Sequence, residues 1–464
     1  MSVSILGVDL GTSGAKLLLW RDGVLQKVRA GYPEATPDGF ACAVRTAAET
    51  LDLRDLSAVC VASQVGTYVI DGREVIGWRD GAGKEELERL LGEIPQETFL
   101  QEISMPHPRL VSYPLPRLSW IGKRFPAASR VCMPKDQLLL ELTGRYVTDP
   151  YSWRGLCHLP DGVYSQALLD RIGFSKALLP EVLPPEAPAG AVTAEGARRF
   201  GLPEGTPVFT GCNDFFAGLL GMGLREGDVF DVTGTSEHIG VLTGGTADPD
   251  PVLVSGPFLH GVVSYGVTAS SGTALNFSRS FCRTEELNES DLSEKLPVFL
   301  PYLNGERAPV WDPDARGVFF GIGEGMGRRE LALSVLEGIV FSLYQIYQCL
   351  GAAAPKAIAV SGGAACVGIL NRLKASMFGC GVIPRKENDT TALGAVMIAA
   401  RGCGMFADYE AAAKALVQPL PAVEGDPALG DLMHRRFEIY SGIYPAVKPL
   451  YPDFRALGQK EEKD

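Results

Sequence analysis

Several things are scarce in this chain of 464 residues, and each scarcity closes off a class of function. Ten cysteines are present, but no C-x-x-C pair, so the spacing supports neither a zinc site nor a disulfide framework. Reduced thiols in a cytoplasmic protein are the expectation. Positive charge is also short. Lys and Arg total 43 against 55 Asp and Glu, a formal net charge of −12. The clustered basic residues of a nucleic-acid binder or an anionic-membrane binder are therefore not expected, although a local site for an anionic ligand is not excluded. No stretch reaches the roughly 18 uninterrupted apolar residues of a membrane helix. The most apolar long segment, 331–354, is broken by Glu337, Gln345 and Gln348. The segment Met1–Leu6 lacks a basic region and the strand pattern is interrupted at Asp9, so a signal peptide is not expected. The five histidines (His107, His158, His238, His260 and His434) show no metal-ligand spacing. His238 follows a Gly-rich turn, and a structural role is the favoured reading for it.

What is present is glycine in ordered positions. Residues 4–23 read as two apolar strands around Gly11-Thr12-Ser13-Gly14, followed by a second turn at Asp22-Gly23. Such a turn is either a plain hairpin or a place where backbone N–H groups and two hydroxyls meet a phosphate. On the second reading Asp9 could hold a divalent cation and Lys16 could add positive charge. The pattern recurs at 229–245, with Gly234-Thr235-Ser236 between two strands. Two copies half a chain apart suggest duplicated domains and a clamp for a polyphosphate. A third Gly-rich element, Gly362-Gly363-Ala364, lies between an apolar strand and a helix carrying Leu370, Leu373 and Met377. Glycine there would let a flat ring approach the backbone. Before it, apolar residues at 333, 336, 340, 343, 347 and 350 mark the buried face of a helix.

Between the two Thr-Ser turns, a strand ends at Thr210-Gly211 and Asn213-Asp214 open a short helix. One of these two residues could merely cap that helix. Alternatively Asp214 is a carboxylate at a helix start, aimed into a cleft as a general base. Spacing does not separate the two.

Asp9–Lys16, Gly211–Asp214, Gly234–Ser236 and Ser361–Ala364 stand in the order found in the FGGY carbohydrate kinases, which this chain resembles from Ile5 to about Gly404. The stretches Met133–Asp149 and Pro301–Gly317 are also similar to that family. The resemblance implies an α/β fold of two ribonuclease-H-like lobes, of the actin/Hsp70/sugar-kinase type, with a nucleotide cleft between them. The expected division is 1–226, 227–445 and a tail at 446–464. The resemblance further implies ATP and Mg2+ as cofactors, a small sugar as substrate, and no nucleic-acid or membrane partner. Homodimers are frequent in the family. Asp214 matches the base that accepts the hydroxyl proton, and Asp9 the magnesium-side carboxylate. Thr12, Ser13 and Lys16 match the first phosphate turn and Thr235 the second. Gly272 is similar in position to a nucleotide-contacting glycine. Gly362, Gly363 and Ala364 match the adenosine motif, with Asn371 as a ring or ribose contact.

The sugar side departs from the family pattern. Xylulose kinases carry Gly-Gln-Met-His-Gly where this chain has Ser63-Gln64-Val65-Gly66-Thr67, so the His is replaced by Gly66. The family's Trp-x-Asp-x-Arg is represented by Trp78-Arg79-Asp80-Gly81-Ala82, which lacks the Arg. Phe215 and Phe216 follow Asp214. Gln64, Val65, Gly66, Trp78, Asp80, Asp214 and Phe215 are the sugar-side candidates, although Trp78 and Phe215 could equally be core packing. The expectation is phosphorylation of a ketopentose such as xylulose. Another ketose, a polyol or a sugar acid remains open, as does a non-catalytic sensor of the same fold. An actin/Hsp70-like ATPase lacks the Gly305-Glu306-Arg307 to Pro313 stretch.

Overall fold

The computed structural model describes residues 3–106, 109–245, 253–259 and 261–458. His107, His260 and the segment 459–464 lie outside the described residues. The chain forms two compact units. One comprises Met1–Gly223 together with Asp389–Val417, and the other Leu224–Asn388 together with Gln418–Asp464.

The first unit is built on β1 (Ser4–Leu10), β2 (Gly14–Arg21), β3 (Val24–Gly31), β4 (Ala58–Ser63), β5 (Pro188–Ala191) and β6 (Pro207–Phe209). Their order across the sheet is β5-β6-β4-β1-β2-β3. β1, β2 and β3 form an antiparallel meander, and β1, β4 and β6 run parallel. β1 is buried along its whole length, as a central strand covered on both faces requires. Two helices pack here: α1 (Pro37–Ala48), whose first N–H groups are met by Thr36, and α2 (Pro134–Thr143). A second apolar core within this unit is rich in rings, including Tyr68, Phe99, Trp153 and Tyr164. The unit's leading segment ends on α3 (Asp214–Met222).

The second unit repeats most of the topology. β7 (Val229–Thr233), β8 (Glu237–Thr243), β9 (Val254–Phe258), β10 (Gly261–Val267), β11 (Ala357–Gly362) and β12 (Gly381–Pro384) lie in the order β9-β10-β8-β7-β11-β12. Four antiparallel strands, β9-β10-β8-β7, are followed by the parallel β11 and β12, so the sixth strand lies on the antiparallel edge here and on the other edge in the first unit. Helices α5 (Arg328–Cys349) and α6 (Gly368–Phe378) pack on this sheet, and α4 (Ser271–Phe281) packs on α5. α5 carries the three-four apolar spacing. By length and composition it could cross a membrane, but it is buried in the core of this unit.

The division differs from the expected one. The segment containing α7 (Thr390–Gly402) and α8 (Tyr409–Leu416) belongs to the first unit. Glycines are the reason. A Cβ on Gly7 would lie 2.2 Å from the Ala392 carbonyl oxygen, one on Gly221 1.9 Å from that of Thr390, and one on Gly394 1.8 Å from that of Ala217. Only hydrogen at these positions lets α7 lie directly on β1 and α3. The expected tail also differs. Residues 446–458 continue α9 (Pro427–Val447) into α10 (Tyr451–Gly458). The Tyr451 hydroxyl donates to the Arg316 carbonyl, which fixes α10 to the second unit.

Candidate active site

In the first unit the site is built at the end of β1. Asp9 is opposite Lys16 in the β1–β2 register, so both side chains leave the sheet on one face. Lys16 Nζ lies 3.6 Å from Asp9 Oδ2. Asp9 Oδ1 is buried without a hydrogen-bond partner. Burial pushes the Asp9 carboxyl up to about 6; Asp389 adds to the rise and Lys16 opposes it. The turn between the strands is tied down from behind. Tyr32 donates its hydroxyl to the Gly11 carbonyl and its N–H to that of Ser13. Thr12 and Ser13 remain exposed.

The capping question is settled at α3. Asn213 is the N-cap, accepting from the Phe216 N–H at 2.8 Å, and its Nδ2 donates to the Tyr151 carbonyl at 2.6 Å. Asp214 is the first helical residue, and its carboxylate accepts from the adjacent Phe215 N–H. Burial, then the charge of Asp9, raises the Asp214 carboxyl to about 7, against the Phe215 N–H, Arg154 and Lys16. Behind this segment Lys135 is fully buried. Its Nζ lies 3.1 Å from both Asp136 and Asp149 and donates to the Thr210 carbonyl at 3.2 Å. A buried ammonium so surrounded holds the approach to Asp214 in one geometry.

On the sugar side, Gln64 is buried and its Oε1 has no hydrogen-bond partner. Val65 is half-buried beside it. Gly66 has φ +77°, and a Cβ there would lie 2.7 Å from Ser112 Cβ. A side chain here would meet Ser112, so a His would need the Ser112 segment to shift. Trp78 donates its ring N–H to Thr12 Oγ1 at 3.4 Å, and the Arg79 guanidinium sits 4.8 Å over the indole. Asp80 is exposed, and its Oδ1 accepts from the Ala82 N–H. Phe215 packs edge-on against Phe216 and is half-buried.

Two arginines escaped the sequence reading. Arg117 is fully buried, donates to the Asp80 carbonyl at 3.0 Å, and has Nε and Nη1 without hydrogen-bond partners. Its Nη1 is 3.9 Å from Asp80 Oδ1, so a distant residue brings a guanidinium to the Trp78–Asp80 stretch. Arg154 lies 5.3–5.8 Å over the rings of Phe216, Tyr113 and Phe215, and its charge reaches Asp214. No local spacing signals either residue, because both arrive through tertiary folding.

In the second unit, β7 and β11 pair in parallel with Thr233 opposite Gly362, which puts the two Gly-rich turns side by side. Thr233 joins them. Its carbonyl accepts from the Gly363 N–H and its Oγ1 from the Ala364 N–H. Gly362 has φ +91°, and a Cβ there would sit 2.1 Å from the Thr233 carbonyl oxygen. Thr235 is exposed, and its carbonyl accepts from the Gly272 N–H at 3.0 Å. Asn371 spends its Nδ2 on the Ala365 carbonyl, leaving Oδ1 buried and unpartnered. His238 lies 5.7 Å from the Tyr265 ring. Below the turns, Lys374 Nζ binds Asp231 at 2.5 Å and Glu237 at 2.6 Å, and Ser271 bonds Glu237. This buried network ties the Thr235 turn, the start of α4 and α6 together.

Residues 40–221 match the N-terminal domain of the FGGY family of carbohydrate kinases, and residues 231–403 match its C-terminal domain. The chain belongs to that family. It is a carbohydrate kinase, and its two units have the actin/Hsp70/sugar-kinase type of fold. Among curated relatives, the xylulose kinase of Lactococcus lactis is 29% identical over 460 residues, covering 89% of this chain and 90% of the relative. A gluconate kinase structure from Lactobacillus acidophilus superposes with a TM-score of 0.85 at 23% identity, covering 98% and 100% of the two chains. A ligand-bound xylulose kinase from the same organism gives 0.85 at 23% identity, covering 97% and 99%. These structural likenesses speak for the fold of the kinase.

Magnesium needs a donor set that the chain can supply. Among the described residues no group of three or more His, Cys, Asp or Glu forms a cage. Asp9, with a buried unpartnered oxygen close enough to raise Asp214 by charge, fits a cation shared with phosphates and water.

Proposed function

We propose that the kinase transfers the γ-phosphoryl group of ATP to a hydroxyl of a small ketose, with xylulose the first acceptor to test. The carrying observation is the carboxylate pair. Asp214 stands at the head of α3 with its pKa raised to about 7, where a general base can both take and release a proton near neutral pH. Asp214 orients the acceptor hydroxyl and takes its proton. The hydroxyl oxygen bonds to the γ-phosphorus as the bond to the β-phosphate oxygen breaks, and ADP leaves. Thr12, Ser13, Lys16 and Thr235 contribute donors to the phosphates. Gly272, Gly362, Gly363, Ala364 and Asn371 receive the nucleoside. Gln64, Val65, Gly66, Trp78, Asp80 and Phe215 line the acceptor side, where the unpartnered Gln64 Oε1 suits a donor hydroxyl. Asp9 would hold Mg2+, whose charge offsets that of the phosphates.

One observation favours a second acceptor class. Arg154 places positive charge beside Asp214, which suits the carboxylate of a sugar acid. The test is ADP release from Mg-ATP across ketopentoses, ketohexoses, polyols, glycerol and sugar acids, with wild type and Asp214→Asn in parallel. Release with one acceptor that disappears in the variant supports the reading. Equal release from both proteins rejects Asp214 as the base.

A further inference from the structure

The first turn of α7 touches the first unit's site twice. Asp389 occupies the N-cap position of α7, yet its side chain makes no capping hydrogen bond. Its Oδ1 is instead 2.9 Å from Lys16 Nζ and its Oδ2 2.8 Å from Lys27 Nζ. Lys16 is thereby held between Asp389 and Asp9. Strand register explains why these cations meet there. Lys16 faces Asp9, while Lys27 is opposite Leu18, two residues further along β2 on the same face. Gly7 of β1 is opposite the same Leu18, and its missing Cβ is what admits α7. Two residues beyond Asp389, Thr391 Oγ1 donates to the backbone carbonyl of Asp214 at 3.1 Å. One helical turn thus spans from the Lys16 ammonium to the residue proposed as base.

We propose that Asp389 is a positioning residue for phosphoryl transfer: it fixes the Lys16 ammonium in register with Asp9 and with the backbone of Asp214, while Lys27 orients its second oxygen. The inference rests on the reading of Lys16 as a phosphate donor. A lysine on an open strand samples many rotamers. Restricting it before the nucleotide arrives removes that entropy loss from the reaction. Burial alone would raise the Asp389 carboxyl, but the two lysines outweigh it and hold it below the usual range. It therefore stays ionised and able to hold Lys16 throughout neutral pH.

The test is a double-mutant cycle read as kcat and KM for Mg-ATP at saturating acceptor, with the acceptor KM taken at saturating Mg-ATP. The proteins are wild type, Lys16→Met, Asp389→Asn, the double variant and Asp389→Glu, each checked for folding by its melting curve. Asp389→Asn is expected to lower kcat/KM for Mg-ATP at least about threefold, leaving the acceptor KM unchanged, while Asp389→Glu restores most of it. In the Lys16→Met background the same change is expected to stay within about twofold, because the ammonium it positions is gone. Lys27→Met, which leaves the α7 head intact, is expected to act in the same direction with smaller size. Equal losses in both backgrounds would make Asp389 a support of α7 alone and overturn the proposal, as would wild-type kinetics in Asp389→Asn. A wild type that phosphorylates no acceptor overturns the functional reading itself, whereas an active wild type with additive losses overturns only this inference.

Discussion

Removing the Asp214 carboxylate should make the protein more stable and inactive at once. The carboxyl rises from 3.8 to about 7 in the folded chain, mainly through burial and then through Asp9. Between those values the native state binds more protons than the unfolded state, so stability falls as pH rises. The shift is about three units, and at about 1.4 kcal/mol each they set a ceiling near 4 kcal/mol. Asp214 is half-buried, and solvent reduces the expected gain for Asp214→Asn to about 1–3 kcal/mol at pH 8. The amide keeps the shape and removes the charge that Asp9 repels. Melting curves at pH 8 and pH 4.5, without nucleotide, measure this. The variant should melt a few degrees higher at pH 8, and the difference should shrink at pH 4.5, where the native carboxyl is already protonated. A variant that melts at or below wild type at pH 8, or an increment independent of pH, would show that Asp214 is not strained by desolvation and that its raised pKa is not the basis of its chemistry.

Other outcomes follow from the same geometry. The acid limb of kcat/KM should fall about tenfold per pH unit below about 7; Asp9→Asn should move it to lower pH and Arg154→Gln to higher pH, measured in paired pH–rate profiles. Lys374→Met leaves Asp231 and Glu237 buried without their cation and should destabilise the second unit by about 3–5 kcal/mol, while adding Asp231→Asn and Glu237→Gln should recover much of that in thermal melts. Gly211→Ala places a side chain at φ +68° with its Cβ 1.8 Å from the Val61 carbonyl oxygen. It should lower the melting temperature by several degrees and reduce kcat more than it changes KM, because the strain lies three residues before Asp214.

The duplicated architecture was legible because it is written locally. The two Gly-Thr-Ser turns sit between apolar strands, and the two sheets share a core of three antiparallel and two parallel strands. The buried face of α5 was equally plain in its three-four spacing. At Asn213-Asp214 the sequence offered two capping residues in succession, and only the bond from the Phe216 N–H to Asn213 assigns the cap. The return of α7 to the first unit was hidden for another reason. Its mark is three glycines, Gly7, Gly221 and Gly394, scattered over nearly 400 residues, and none announces its partner. Arg117, Arg154 and Asp389 come to Asp80, Asp214 and Lys16 across sequence separations that no motif spans.

The late return of α7 also bears on how the protein is made. β1 leaves the ribosome before the helix that covers it, which is encoded some 380 residues later. During synthesis the first sheet must wait with an apolar face open while residues 224–388 of the second unit are translated, at roughly 5–20 residues per second a delay of about 8–33 seconds. A gene cut after Gly223 would deliver a sheet with its lid missing, prone to self-association. The piece corresponding to the first unit would need residues 389–417 spliced on, and the order of the genetic text is therefore not the order in which this kinase can fold.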